Sequence, residues 1–176
     1  IAIFTNLSVD HLDFHGNMEN YFNTKLKLFK SLNENSIAII NGDDKYSKDI
    51  IKNIRCKYLT YGFNKGFNLY VKSYNLNIDG TEIIFNFEGK EFEIKTDLIG
   101  KFNIYNIMGS ILASCKLGLN INQIQYALKS FKSVPGRFEK FKLKNENSAI
   151  VDYAHTPDAF ENILSNINKL TKKDII

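Results

Sequence analysis

The sequence predicts an α/β fold: a mostly parallel sheet with flanking helices and an antiparallel hairpin excursion. Three observations predict it. Short apolar, β-branched runs alternate with helix-period segments up to Gly62, the apolar period changes to two between Phe67 and Leu98, and helical spacing returns from Lys101.

Each element follows in order. IAIFTN is short, apolar and β-branched, a buried strand that opens into the polar loop LSVDHLDFHGN. MENYFNTKLKLFKSL carries Tyr21, Leu28, Phe29 and Leu32 at helical spacing. SIAIIN is a second buried strand stopped by the turn signal NGDD; KYSKDIIKNI is a short helix and CKYLTYG a third strand. Strands separated by helices favour parallel pairing with crossover connections. Asp79-Gly80 and Glu88-Gly89-Lys90 then punctuate the alternating segment and mark hairpin turns. After Gly100, KFNIYNIMGSILASCKLGL is a long helix closing at Gly118, and INQIQYALKSF is another ending before VPGR. EKFKL, the polar turn KNEN, the strand SAIVDYA and the helix PDAFENILSNINKL complete the chain. A fresh strand-to-helix unit suggests a boundary near Asn145, with residues 1–145 in one domain and 146–176 in the start of another.

Composition bounds the function. A 176-residue chain that is 44% hydrophobic buries a sizeable core, which excludes disorder as the dominant state. Net charge is +4, but Lys and Arg are scattered among acidic residues and Asn rather than gathered in a block. That distribution, without an aromatic-plus-basic ribonucleoprotein motif or zinc-finger spacing, argues against nucleic acid as a partner. Cys56 and Cys115 lack metal-type spacing and read as reduced thiols. No apolar run reaches the roughly 18 to 20 residues of a membrane span, so the expected location is cytoplasmic, with no membrane partner. The chain opens without Met, apparently in mid-strand, and stops just after a helix, so it is expected to be a piece of a longer protein.

Four segments carry chemistry. In SAIVDYAHTPDAF, Thr156 and Pro157 suit an N-cap and first helical residue, and a helix N-terminus attracts anions. Asp152 could accept from a ribose and His155 donate to a phosphate; the plainer alternative is that both satisfy loop backbone. The loop after the first strand holds Asp10, His11, Asp13 and His15, either a divalent-metal site or a solvated loop capping the next helix. All three histidines of the chain fall in these two loops. In GKFNIYN, Asn103 and Asn106 lie one turn apart on one face and could read an adenine edge, or could be ordinary capping residues. In VPGRFE, Arg137 follows a Pro-Gly turn and has the fork geometry that suits phosphate.

Taken together, TNLSVDHLDFHG, YFNTK, GKFNIYN, VPGRFE and VDYAHTPDAF resemble, in order and separation, the ATP-dependent Mur ligases of peptidoglycan synthesis. DYAHTPDA is most similar to the MurE type, which adds the third peptide residue to UDP-N-acetylmuramoyl-L-alanyl-D-glutamate. The resemblance implies that His11 holds magnesium and that Lys25 is carbamylated, with Lys27 as the near alternative. An amine must lose its proton before it reacts with CO2, and partial burial favours that loss. It further implies Asn103 and Asn106 at the adenine, Arg137 near the ATP phosphates and ribose, Asp152 on the ribose and His155 near the phosphates. The implied cofactors are ATP and Mg2+; the implied substrates are UDP-MurNAc-dipeptide and a diamino acid, meso-diaminopimelate or lysine, joined through an acyl phosphate in the bacterial cytoplasm. The second unit would then begin a Rossmann-like C-terminal domain.

One departure is an absence. No G-x-x-x-x-G-K-[ST] phosphate loop occurs in the sequence, and the family carries one ahead of the position of Ile1, so this piece alone is expected to be inactive. Two alternatives stay open: a folylpolyglutamate or cyanophycin-type ligase, and a non-catalytic nucleotide-binding domain.

Overall fold

A computed structural model describes residues 1–144, 147–171 and 175. The expected boundary at Asn145 lies outside the described residues. Strands β1 (Ala2–Phe4), β2 (Ile37–Asn41) and β3 (Lys57–Gly62) pair in parallel, with helices α1 (Leu12–His15), α2 (Met18–Lys30) and α3 (Ser47–Asn53) in the connections. β4 (Leu69–Asn77), β5 (Gly80–Phe87) and β6 (Lys90–Thr96) form an antiparallel meander. The excursion is continuous with the parallel part, because Tyr61 and Gly62 of β3 pair in parallel with Leu69 and Tyr70 of β4. One sheet of six strands in sequential order results.

Side-chain alternation along β2 explains how both faces of the sheet are covered. Ala38 and Ile40 point into a cluster with Phe22, Leu26 and Phe29 of α2 and Ile50 of α3. Ile39 points the other way, into a cluster with Ile104, Ile107, Met108 and Ile111 of α4 (Lys101–Lys116) and Ile124 of α5 (Ile121–Ser130). A strand buried on both faces reads as a continuous apolar run, and IAII does so. On the meander only one face is covered. The outer face carries exposed ion pairs, Lys72 Nζ to Glu91 at 2.7 Å and Lys95 Nζ to Glu82 at 3.0 Å.

Three local expectations are corrected. α2 buries Phe22, Leu26 and Phe29, spaced i, i+4, i+7, while Leu28 is exposed because it lies on the opposite side of the helix. The loop after β1 contains the short helix α1, entered through His11 in the left-handed region at φ 53°. EKFK pairs with the strand that follows it: β7 (Glu139–Lys142) and β8 (Ser148–Val151) form a separate antiparallel ladder, and β8 stops before Asp152. α6 (Pro157–Leu170) follows.

Gly100 sets where α4 begins. Its φ is 98°, and a Cβ there would meet the Phe102 ring at 2.6 Å, so glycine fits both the backbone and the space. Cys56 is buried and Cys115 half-buried, both as free thiols. No helix among the described residues is long and apolar enough to cross a membrane.

Candidate functional site

The connection from the carboxyl end of β1 into α2 gathers the first group of candidate residues, and the carboxyl end of a parallel strand is where open α/β sheets bind ligands. Tyr21, on the first turns of α2, organises it. The His15 ring stacks on Tyr21 at 4.6 Å between centroids, the His11 ring meets it edge-on at 6.0 Å, and Lys25 Nζ lies 5.0 Å above its face. Residues 21 and 25 are one helical turn apart, which places the amine over the ring. Lys25 is half-buried, whereas Lys27 is exposed. Asp10 Oδ1 accepts from the His11 amide at 2.8 Å, and its Oδ2 lies 3.4 Å from His11 Nε2. A carboxylate beside Nε2 favours the proton there and leaves Nδ1 as the lone-pair donor.

The chemistry of this donor set decides how it could hold magnesium. Among the described residues no three His, Cys, Asp or Glu side chains cluster to cage a metal. Magnesium commonly keeps waters and substrate phosphates and takes few protein ligands. The His11 and His15 imidazoles and the Lys25 amine around Tyr21 are therefore too few oxygen donors for a caged ion and fit at most one held largely by waters and substrate.

A second group centres on Tyr153. The Arg137 guanidinium lies 5.1 Å over its ring, and the His155 ring meets it edge-on at 5.1 Å. His155 Nδ1 lies 3.0 Å from the Tyr153 carbonyl, an acceptor only, so Nδ1 carries the proton in that bond. Asp152 uses both oxygens on backbone: Oδ2 accepts from Phe138 N at 2.7 Å and Oδ1 from Ala154 N at 2.8 Å. The plainer loop-satisfying role is thus present, and the remaining lone pairs are free to accept more. Thr156 accepts from Ala159 N at 3.3 Å and Pro157 has no N–H, so α6 offers fewer free donors than a bare helix start.

The start of α4 adjoins the second group. Buried Asn103 donates to Ile99 O at 2.8 Å and accepts from Asn106 at 3.2 Å, so the pair shares one face as expected. Asn103 and Arg137 both line a cavity of about 390 Å3 with Asp79, Asp97, Lys132 and Lys140. α4 also meets segments that follow α5, through Phe102 against Phe138 at 5.7 Å and Lys101 N donating to Asn166 of α6 at 3.2 Å. Lys140, nearly buried, donates to Ile78 O and to Asp79 Oδ1, each at 2.8 Å, and so ties β7 to the β4–β5 turn.

Sequence reasoning missed Tyr21 and Tyr153 as the ring platforms, although each sits inside a quoted motif. The spacing of Tyr21 to Lys25 was the available signal. Nothing local marks Phe138, whose φ of 48° is held by a carboxylate 14 residues away.

The middle-domain model of the Mur ligases, described as "Mur ligase middle domain", matches residues 1–114. A UDP-N-acetylmuramoyl-L-alanyl-D-glutamate--2,6-diaminopimelate ligase of Clostridium botulinum is 44% identical over 99% of this chain and 36% of its own length. The same-named ligase of Aquifex aeolicus is 43% identical over 99% of this chain and 35% of its own. A crystal structure of MurF ligase from Thermotoga maritima in complex with ADP superposes with a TM-score of 0.84 at 26% identity, covering 98% of this chain and 40% of that one. The chain thus spans little more than a third of the length of these relatives.

Proposed function

The chain belongs to the Mur ligase family, and from that premise we propose that it is the ATP-closing portion of a ligase of the MurE type. The proposed reaction joins 2,6-diaminopimelate, through an amide, to the terminal carboxylate of UDP-MurNAc-L-Ala-D-Glu, with ATP activating that carboxylate as an acyl phosphate. Lysine is the competing diamino acid. The observation that carries this reading is the placement of Asn103, Arg137 and Lys140 around one cavity at the meeting of the central sheet and the second unit.

The family resemblance suggests the roles, and the geometry supports them. Asn103 and Asn106 offer paired amide donors and acceptors to an adenine edge. Arg137, steadied on the Tyr153 ring, supplies a planar cation for phosphate, and His155, against the same ring, would donate to phosphate from Nε2 as an imidazolium. Asp152 fixes the Arg137 turn through Phe138 N while keeping lone pairs for a ribose hydroxyl. His11 and a carbamylated Lys25 would hold magnesium, whose charge offsets that developing on the transferred phosphoryl group. Because these residues come from two units, their closure would exclude water from the acyl phosphate. We place the join between the units in the connection from α5 to β7, since the β7–β8 ladder ties residues 139–142 to the later unit.

The test is the full-length enzyme with ATP, UDP-MurNAc-L-Ala-D-Glu and either diamino acid. ADP release that requires both the dipeptide substrate and 2,6-diaminopimelate is expected. Turnover with lysine alone would move the amino-acid assignment, and turnover only with a folate or an arginine-aspartate polymer would overturn the reading.

A further inference from the structure

We propose that the NGDD loop, residues 41–44, is a positioning device that sets the His11 loop and helix α4 against each other. The proposal rests on the ATP-ligase reading above. A turn that served only itself would close on its own backbone, and one such bond exists, Asp44 N to Asn41 O at 3.4 Å. The stronger bonds go elsewhere.

Two side chains reach the segment that leads to His11. Buried Asn41 donates through Nδ2 to Thr5 O at 2.7 Å, and Asp44 Oδ2 accepts from Leu7 N at 3.0 Å while its Oδ1 accepts from Tyr46 N at 2.8 Å. Thr5 and Leu7 carry the chain out of β1, and Leu7 is itself buried. Asp43 reaches the other way. Its Oδ2 accepts from Phe63 N at 2.7 Å and from the Tyr105 hydroxyl at 3.0 Å. Tyr105 stands between Asn103 and Asn106 on α4. Burial and the neighbouring Asp43 carboxylate raise the Tyr105 phenol above its usual range, which keeps the hydroxyl as donor.

The contacts to Thr5, Leu7, Phe63 and Tyr105 span 20 to 62 residues of sequence, and three of them converge on the adjacent Asp43 and Asp44 carboxylates. Space around the loop is tight: a Cβ on Gly62 would meet Asp43 Oδ2 at 2.5 Å, and one on Gly42 would enter the Phe67 ring. The loop is therefore a rigid anchor to which each side is tied by its own bonds, so that losing one arm loosens one side while the loop keeps its place. Asp44 and Asn41 act on the His11 side, and Asp43 on the α4 side.

The experiment uses the full-length ligase and separates the two arms. Asp44→Asn leaves one acceptor oxygen for two backbone donors, Leu7 N and Tyr46 N, and so weakens the hold on the segment that leads to His11; Tyr105→Phe removes one hydroxyl on the α4 side. Magnesium half-activation is measured at saturating ATP, metal-free ADP affinity by calorimetry, and folding by thermal unfolding. Asp44→Asn is expected to raise the magnesium requirement about fivefold, the size of one lost hydrogen bond, with ADP affinity within about twofold of wild type. Tyr105→Phe is expected to weaken ADP about threefold and leave the magnesium requirement alone. Should Asp44→Asn fail to fold, the Tyr105→Phe split decides alone. Folded variants in which both constants move together, or neither moves, overturn the proposal. A wild-type enzyme that neither ligates nor binds ADP would instead remove the functional reading itself.

Discussion

Lys25 holds its ammonium 5.0 Å above the ring of Tyr21, the same ring on which His15 stacks and which His11 meets edge-on. Lys25 is half-buried beside the two imidazoles whereas Lys27 is exposed, which supports the proposal of Lys25 as the carbamylated residue. With 13C-labelled CO2, the full-length enzyme is expected to show a carbamate carbon signal that disappears in Lys25→Ala and persists in Lys27→Ala. The reverse pattern would move the assignment.

Asp152 pins the turn that carries Arg137. Phe138 adopts φ 48°, a region that bulky residues rarely occupy, and its amide is held by Asp152 Oδ2 at 2.7 Å. Asp152→Ala removes that bond and the one to Ala154, and about 1–3 kcal/mol of stability is expected to go with them. Urea unfolding measures the loss. ADP affinity should fall further than stability alone explains, because Arg137 loses its orientation as well.

Asp79 and Lys140 give a pH-dependent contribution. The Lys140 ammonium hydrogen-bonds the Asp79 carboxylate and holds its pKa below the ordinary 3.8. A carboxylate lowered by folding adds stability that is complete above its unfolded pKa and is lost as pH falls through the folded value. Asp79→Asn should therefore be less stable than wild type at neutral pH, with the gap closing below pH 3.8. Added salt should narrow the gap at neutral pH, since Asp79 is exposed. Thermal unfolding across pH checks both signs.

Much of the fold was legible because periodicity encodes it. The apolar run IAII announced a strand buried on both faces, and Asp79-Gly80 announced a hairpin that the register Asn77 to Gly80 realises. The buried face of α2 was harder to read, since Leu28 and Leu26 are equally apolar and only packing chooses between them. Within the candidate site, residue types at known spacing named Asn103, Arg137 and His155. Their supports were not nameable in the same way. NGDD read as a turn because its bonds to Leu7 and Tyr105 run 37 and 62 residues along the chain, and no local pattern carries such distances. The β7–β8 pairing was hidden for a related reason: EKFK is short, and only its partner strand makes it part of the second unit.

The central claim is that one ATP is gripped from both units, with adenine at Asn103 and Asn106 and phosphates beside Arg137 and His155. A crystal structure of the full-length ligase with a nonhydrolysable ATP analogue tests it most directly. The predicted result is an adenine edge within hydrogen-bond distance of an Asn103 or Asn106 amide and phosphate oxygens in contact with Arg137. An analogue seated away from α4, with Arg137 and His155 both out of reach, would contradict it.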